Sequence, residues 1–164
     1  MARITFVYPD FESLGIEYLM AVCRENGHEV NFVYYRAEDV YLSKRNNFIS
    51  FYEIAKKITK NQSQVVGFSC VSDNYQYQLS CARALKEITP NVITIFGGIH
   101  PTAVPLKVLR NIEVDCVAIG ESEKSLSDFL RECERNGAFV LPENPIEGIV
   151  FKKEDKLIGE FKEG

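Results

Sequence analysis

Two hydrophobic periods alternate along this chain. Short β-branched and aromatic runs predict five strands, at Ile4–Tyr8, His28–Tyr35, Val65–Cys70, Val92–Phe96 and Val114–Ile119. Apolar positions at helical spacing predict a helix after each strand. The first of these helices is capped by Ser13 and ends at Asn26-Gly27. The others are Phe48–Lys60, Tyr75–Thr89, a short helix after Gly98, and Ser122–Arg135. The polar stretch Arg36–Asn47 is predicted to be an irregular surface segment.

Five strands that alternate with helices indicate an α/β fold with a doubly wound parallel sheet. Because crossovers are right-handed, few topologies remain, and we expect the flavodoxin-like strand order 2-1-3-4-5. The ending departs from this rhythm, since Ile146–Lys152 and Leu157–Phe161 flank a charged turn and predict a β-hairpin. We therefore expect an α/β domain over residues 1–140 and a hairpin or linker over residues 141–164, an appendage that leads to another domain.

Composition narrows the choice of partner and compartment. The 164 residues carry a net charge of −4 with no stripe of Lys or Arg, which disfavours nucleic acid and anionic membranes as partners. No apolar run approaches the roughly 18 residues of a spanning helix. The five cysteines are scattered through apolar runs without metal or redox spacing, so we expect reduced core thiols in a cytoplasmic protein.

The strongest local signal is the segment Ile93–Glu123, in which two predicted strands end in glycine. Gly97-Gly98 follows one strand and Gly120 follows the next. Glycine permits tight turns and the close approach of a ligand, and ligands of such sheets bind beyond the carboxyl ends of the strands. That edge lacks basic residues, a phosphate-binding P-loop and a dinucleotide fingerprint, so it favours a large, mostly neutral ligand held by backbone and hydroxyl groups.

His100 is the most reactive side chain predicted at this edge. It is interpreted either as a donor or metal ligand to something that lies across the glycine turn, or as a residue that orders its own loop before Pro101. His28 follows a helix end and is predicted to be a surface residue that interacts with carbonyl groups there. With two histidines in the chain, no Ser–His–acid or Cys–His catalytic set can be assembled.

Carboxylates also gather at the predicted edge. Asp10, Asp73, Glu121 and Glu123 are candidates for an acidic cluster, but the third strand ends in Ser69 and no lysine directly follows the fifth, so phosphoacceptor chemistry is disfavoured. Glu123 is predicted to lie in the first turn of the last helix, where the helix dipole favours a carboxylate, and the role of Glu121 stays open. We predict no self-sufficient catalytic residues.

Two motifs resemble the amino-terminal domain of cobalamin-dependent radical SAM enzymes. They are GGIHPT at Gly97–Thr102 and VDCVAIGESE at Val114–Glu123, which match G-G-x-H-P-T and V-D-x-V-x-x-G-E-x-E of that family. Gly67–Cys70, Leu14–Leu19 and the I-x-G-I segment at Ile146–Ile149 match as well. The resemblance covers nearly the whole chain and implies a fold of the cobalamin-binding-domain type.

The resemblance implies that this domain binds cobalamin and presents methylcobalamin to a separate radical SAM barrel of a methyltransferase. In that family the barrel, which acts on a small-molecule substrate, holds the [4Fe–4S] cluster and S-adenosylmethionine, so both belong outside this chain. Glu12 stands where other cobalamin domains carry a cobalt-ligating histidine, which implies cobalamin without a protein histidine ligand. The cofactor-binding residues we predict are Asp10, Glu12, Ser13, Leu14, Gly15, Ser69, Val71, Ser72, Gly97, Gly98, His100, Gly120, Glu121 and Glu123.

Two other hypotheses are compatible with the sequence. The domain is alternatively a cobalamin-free module that serves as a scaffold or shapes substrate access in a radical SAM protein, which the absent histidine favours. It is alternatively a stand-alone flavodoxin-like domain for a flavin or nucleotide, which the lack of a phosphate-gripping loop disfavours.

Overall fold

The computed structural model describes residues 1–10, 14–38, 40, 49–135 and 137–160, without the side chains of Leu14, Ile49 and Ser50. The strands are β1 Arg3–Pro9, β2 Glu29–Tyr35, β3 Val65–Ser69, β4 Ile93–Gly97, β5 Cys116–Ala118, β6 Ile149–Lys153 and β7 Lys156–Ile158. The helices are α1 Leu14–Glu25, α2 Ile49–Lys60, α3 Tyr75–Ile88, α4 Ile99–Ala103, α5 Pro105–Leu109 and α6 Glu123–Glu134. The predicted surface segment Arg36–Asn47 lies mostly outside the described residues.

The first five strands form the predicted parallel sheet. Its order is β2-β1-β3-β4-β5, and Phe6 of β1 lies level with Phe32 of β2 and Gly67 of β3. All neighbouring pairs among these strands are parallel, so their carboxyl ends meet at one edge. The prediction of a flavodoxin-like α/β fold is confirmed.

The carboxyl-terminal hairpin belongs to the same sheet. The prediction of a hairpin is correct, but the predicted count of five strands is wrong, because β6 pairs antiparallel with β5 and β7 pairs with β6. Val150 of β6 lies opposite Val117 of β5 and is fully buried, so this part of the hairpin completes the core. An apolar strand beside a three-residue β5 covers apolar surface that would otherwise face water.

The two faces of the sheet carry separate cores. Helices α1 and α6 cover one face, where their apolar side chains pack on Ile4, Ile95 and Phe151. Helices α2, α3 and α5 cover the other face, where they pack on Val66, Phe96 and their neighbours. Successive residues of a strand point to opposite faces, so each of the buried parallel strands contributes alternately to both cores.

Hydrogen bonds to a carboxylate link the amino-terminal ends of β4 and β5, at the edge of the sheet opposite the glycine turns. The Asp115 carboxylate accepts hydrogen bonds from Lys86 Nζ at 2.6 Å and from the Thr94 backbone N–H at 2.9 Å. His28 lies near the same edge, where its Nδ1 accepts a hydrogen bond from the Ala2 N–H at 3.0 Å. The aspartate of the V-D-x-V motif therefore stabilises the pairing of two strands and does not belong to the predicted ligand edge.

All five cysteines are buried and free. Burial raises the pKa of the Cys23 thiol to about 11 and that of Cys133 to about 12, so both are neutral thiols packed in the core. The prediction of unpaired core thiols is confirmed for this structure. No helix in the described ranges has the length and apolar character needed to cross a membrane.

Candidate functional site

Small residues open the α1/α6 face of the sheet at its carboxyl edge. On this face β3 presents Gly67 and then Ser69, and β4 ends in Gly97 beside Ala118 of β5. The neighbouring positions on the same two strands face the other way and carry Phe68 and Phe96. Those two rings stack on the α3 side with centroids 4.7 Å apart. At this edge the α3 side is therefore closed by stacked rings, while the α1/α6 side carries glycine and serine.

The open face holds a cavity of about 220 Å³ between the sheet, α1 and α6. Ser69, Gly97 and the first residues of α6 lie at its mouth, and Ile4 lies deepest along β1. Ile4 pairs with Val65, four residues before Ser69, which corresponds to roughly 13 Å of strand at about 3.3 Å per residue. The lining residues are Ile4, Phe6, Gly15, Ile16, Leu19, Gly67, Phe68, Ser69, Ile95, Gly97, Gly98, Ala118, Gly120, Glu121, Ser122, Glu123 and Leu126.

Three glycines, Gly15, Gly97 and Gly120, lie at the mouth of the cavity. A Cβ atom added to Gly15 or Gly120 would have no heavy atom within 4 Å outside its own neighbours. A Cβ on Gly97 would have only ordinary contact, 3.6 Å from the Cβ of Ala118. These three positions, which we call the glycine cradle, put no side chain into the mouth, and at Gly120 the φ of +71° also favours glycine.

Gly98 has a different role from its neighbour. Its φ of +108° is one that L side chains rarely adopt, and an added Cβ would lie 2.6 Å from the carbonyl oxygen of Cys70. The same Cys70 donates its N–H to Gly97 at 2.8 Å and accepts the N–H of His100 at 3.3 Å. Gly98 is thus required for the close packing of the loops after β3 and β4, which form one rim of the cavity.

A buried glutamine supports that rim from the opposite face. Gln78 of α3 is fully buried and donates from Nε2 to the Ser69 carbonyl oxygen and to the Tyr35 hydroxyl, each at 2.8 Å. Its Oε1 accepts from the Cys70 thiol at 2.6 Å. Burial raises the pKa of both Tyr35 and Cys70, so both groups remain protonated at neutral pH. Gln78 therefore fixes the residues that follow β3.

His100 orders its own loop, as one of its two interpretations predicts. Its Nδ1 lies 3.2 Å from the Ser72 hydroxyl, and its ring packs on Tyr75 of α3 with centroids 4.3 Å apart. Neither His100 nor Ser72 lines the cavity, and Val71 is an exposed loop residue that donates its N–H to Asn74. Their predicted contact with a cofactor stays a prediction, at a position beside the cavity.

The loop after β1 is described only at its two ends. Asp10 is exposed, and its carboxylate accepts the N–H of Ala37 at 3.1 Å, which joins the ends of β1 and β2. Gly15 lines the cavity at the start of α1. Glu12, Ser13 and the side chain of Leu14 lie outside the described residues, so their predicted roles stay predictions.

The start of α6 forms the acidic lip of the cavity. Glu121 is exposed, Glu123 begins the helix, and both line the mouth. Ser122 occupies the N-cap position, but its hydroxyl donates to the Gly120 carbonyl and does not cap the helix. The Gly120 N–H donates to the Thr102 hydroxyl at 3.0 Å and so ties this lip to α4.

The polar groups of the site limit its chemistry. Of the residues that the structure describes, no lysine or arginine lines the cavity, and none form a group of three or more side chains able to hold a metal ion. Hydroxyls and carboxylates surround the mouth, while the walls are aliphatic or aromatic. This arrangement can hold an amphipathic ligand, but it does not by itself form a catalytic set.

Sequence patterns indicated the mouth of the cavity but not its walls. Seven of the predicted residues line it, namely Gly15, Ser69, Gly97, Gly98, Gly120, Glu121 and Glu123. The apolar walls were missed, because a buried strand residue that lines a cavity has the same character as one that packs on a helix. Gly67 was the available signal, since glycine inside a strand often marks a close approach of another group.

Comparison with protein families shows which family this chain belongs to. A family model described as the B12 binding domain matches residues 2–130, which is most of the chain. The chain belongs to the B12-binding domain family. This membership confirms the resemblance to a cobalamin-binding domain and favours that interpretation over a flavin or nucleotide domain.

Curated relatives of this B12-binding domain are longer proteins. An anaerobic magnesium-protoporphyrin IX monomethyl ester cyclase of Rubrivivax gelatinosus is 22% identical over 165 residues, which covers 93% of this chain and 28% of that protein. An uncharacterized methyltransferase of Pyrococcus horikoshii is 30% identical over 118 residues, which covers 71% of this chain and 24% of that protein. The chain thus spans about a quarter of the length of the curated relatives it matches.

Solved structures support the fold alone. The isolated REC domain of RcsB from Salmonella enterica serovar Typhimurium has a TM-score of 0.52 at 12% identity, covering 87% of this chain and 95% of that one. The phosphoacceptor chemistry of such a domain is not transferable at this identity, and the residues after β3 in this chain do not supply it.

Proposed function

We propose that this B12-binding domain holds cobalamin with its nucleotide tail in the α1/α6 cavity and its corrin ring above the carboxyl edge of the sheet. The observation that carries the proposal is the glycine cradle, in which Gly15, Gly97 and Gly120 leave open the entrance to a deep apolar cavity. The cavity of about 220 Å³ is smaller than the roughly 300–1,000 Å³ of a complete small-molecule site. It therefore fits one part of a large ligand whose remainder lies outside.

The polar groups at the mouth suit the periphery of a corrin ring. Corrin carries neutral amide side chains, whose N–H groups are donors for the carboxylates of Glu121 and Glu123 and for the Ser69 hydroxyl. Among the described residues no lysine or arginine lines the cavity beside these two carboxylates, which disfavours a ligand with several phosphates. When bound, cobalamin supplies a cobalt–carbon bond for group transfer, and the residues of this chain bind and orient it.

We further propose that the domain serves a radical SAM methyltransferase, in which a separate barrel carries the [4Fe–4S] cluster and S-adenosylmethionine and acts on a small molecule. The resemblance of the glycine and V-D-x-V motifs supports this, and the Pyrococcus horikoshii relative is described as a methyltransferase. The other relative is described as a cyclase, which favours a different reaction for the whole protein. A cobalamin-free scaffold is the alternative that the first experiment tests.

The test is a titration of the 164-residue chain with hydroxocobalamin and methylcobalamin, followed by visible absorbance after desalting. We expect stoichiometric retention by the native chain and a loss of affinity of at least about 100-fold in Gly97→Val, because the valine side chain enters the tail cavity. An added Cβ at Gly97 meets only ordinary contact, 3.6 Å from the Cβ of Ala118, and circular dichroism checks that the valine variant is folded. Ala103→Val, at an exposed position of α4, is the control and should bind normally.

Two results would contradict the proposal. A folded native chain that retains no corrinoid at tens of micromolar would favour the scaffold alternative. Equal binding by the native chain and Gly97→Val would show that the ligand does not use the α1/α6 cavity. Circular dichroism of all variants separates these results from a simple loss of folding.

A further inference from the structure

The interior of the tail cavity differs sharply from its mouth. Apart from the glycines and polar residues at the mouth, the lining consists of Ile4, Phe6, Ile16, Leu19, Gly67, Phe68, Ile95, Ala118 and Leu126. None of these residues carries a polar side-chain atom. The backbone groups of β1 and β3 that border this region are engaged in the parallel ladder of the sheet. A ligand group that enters this region therefore finds no described side chain with which to exchange hydrogen bonds.

From this contrast we propose that the domain selects among corrinoids by their lower base, and that it prefers a benzimidazole base to a purine base. The inference rests on the proposed function, since it assumes that the nucleotide tail enters the α1/α6 cavity. A dimethylbenzimidazole ring is apolar apart from its ring nitrogens. Adenine adds an exocyclic amino group and further ring nitrogens, all of which lose their hydrogen bonds to water on entry.

The size of the preference follows from unpaired polar groups. Each polar group that is buried without a partner weakens binding by roughly 10- to 100-fold, on the scale of mutational data from proteins. The methyl groups of dimethylbenzimidazole also gain contact with the aliphatic walls, which include Ile95 and Leu126. We expect cobalamin to bind at least about 10-fold more tightly than the corresponding adenine corrinoid.

Leu19 provides a position at which to alter this preference. It lines the cavity from α1, is only partly buried and packs on the α1/α6 core, so circular dichroism of the variant checks that it is folded. Leu19→Gln places an amide beside the entering base, where it can pair with polar atoms of adenine. Leu106 of α5 is also a partly buried leucine and does not line the tail cavity, so Leu106→Gln is the matched control.

The experiment measures dissociation constants of the 164-residue chain for three probes by absorbance titration. The probes are aquocobalamin, its adenine-containing analogue and cobinamide, which lacks the nucleotide. We expect affinity to decrease in that order for the native chain. We also expect Leu19→Gln to reduce the ratio between the first two affinities several-fold, whereas Leu106→Gln leaves the ratio unchanged.

The outcomes that overturn the inference are distinct from failure of the proposed function. Equal or tighter binding of the adenine analogue would disprove base selection while cobalamin binding stands. Equal binding of cobinamide and cobalamin would show that the tail does not contribute. No binding of any of the three probes would overturn the proposed function and with it this inference.

Discussion

The two faces of the sheet near its carboxyl edge make opposite use of the same strands. On the α3 side, Phe68 and Phe96 stack on one another and Tyr75 packs against Phe96, so the face is closed. On the α1/α6 side, Gly67 and Gly97 occupy the alternating positions; the Phe6 ring lies against Gly67, and the cavity opens beside Gly97. Because successive residues of a β-strand point to opposite faces, the same two strands close the α3 side and leave the α1/α6 side accessible to a ligand.

This difference separates stability from binding along two adjacent strands. A change on the closed face should mainly alter the free energy of unfolding, whereas a change on the open face should mainly alter the affinity for a corrinoid. This separation can be broken or sharpened by substitution at neighbouring positions.

The largest expected effect is on the closed face. Phe96→Ala removes a fully buried ring that contacts Phe68 and Tyr75, so we expect the free energy of unfolding to fall by about 3–5 kcal/mol. Urea denaturation measures this, with Phe96→Leu as the control that keeps most of the volume. A loss below about 1 kcal/mol in Phe96→Ala would contradict the description of this face as the rigid one.

The next effect separates two adjacent glycines. Gly98→Ala forces a side chain into a φ of +108° and against the Cys70 carbonyl oxygen, and we expect a loss of about 3 kcal/mol in stability. Gly97→Ala should change stability by less than about 1 kcal/mol, because its Cβ meets only ordinary contacts. Equal stability losses in the two variants, measured by chemical denaturation, would show that the glycines do not have separate roles.

Gln78 links the closed face to the rim of the open one. Gln78→Leu leaves the Ser69 carbonyl oxygen and the Tyr35 hydroxyl without this partner, so we expect a stability loss of about 1–3 kcal/mol. The affinity for cobalamin should also fall, because the rim residue Ser69 loses its support. Gln76→Leu, at an exposed position of the same helix, is the matched control. If the Gln78→Leu variant is destabilised but binds cobalamin with unchanged affinity, the hydrogen bonds of Gln78 stabilise only the closed face.

The smallest expected effect concerns His100, which lies on the closed side with Tyr75 and Ser72. His100→Gln should reduce stability by less than about 1 kcal/mol and change cobalamin affinity by less than about threefold, since the ring is only partly buried and does not line the cavity. Absorbance titration provides the measurement. A loss of affinity above tenfold, or a shift of the cobalt absorbance bands, would support the other interpretation of His100, as a ligand or donor.

Sequence patterns predicted the sheet and its ligand edge because these depend on local signals. Largely apolar runs that end in glycine mark both β4 and β5, and the structure places both glycine turns at one edge. The walls of the cavity depend instead on which face of a strand each residue occupies. In the run Val65–Cys70 every position is compatible with burial, so the pattern alone does not show that Gly67 faces an opening.

The hairpin shows a second limit of sequence patterns. Its two strands and charged turn are local features and were predicted, but pairing with β5 depends on contacts between residues distant in sequence. Ile119 donates its backbone N–H to Gly148 at 2.8 Å, and a Cβ on Gly148 would collide with the Ser125 side chain. The glycine in the I-x-G-I segment therefore allows the chain to pass close to α6, which no periodicity indicates.

The hairpin also returns the chain to the carboxyl edge of the sheet. Because β6 runs against β5 and β7 runs against β6, β7 again points the same way as the parallel strands. Gly159 consequently lies beside Ile149 and Val150, at the end of β6 that adjoins Ala118. The described part of the hairpin therefore returns to the edge of the sheet at which the cavity mouth lies.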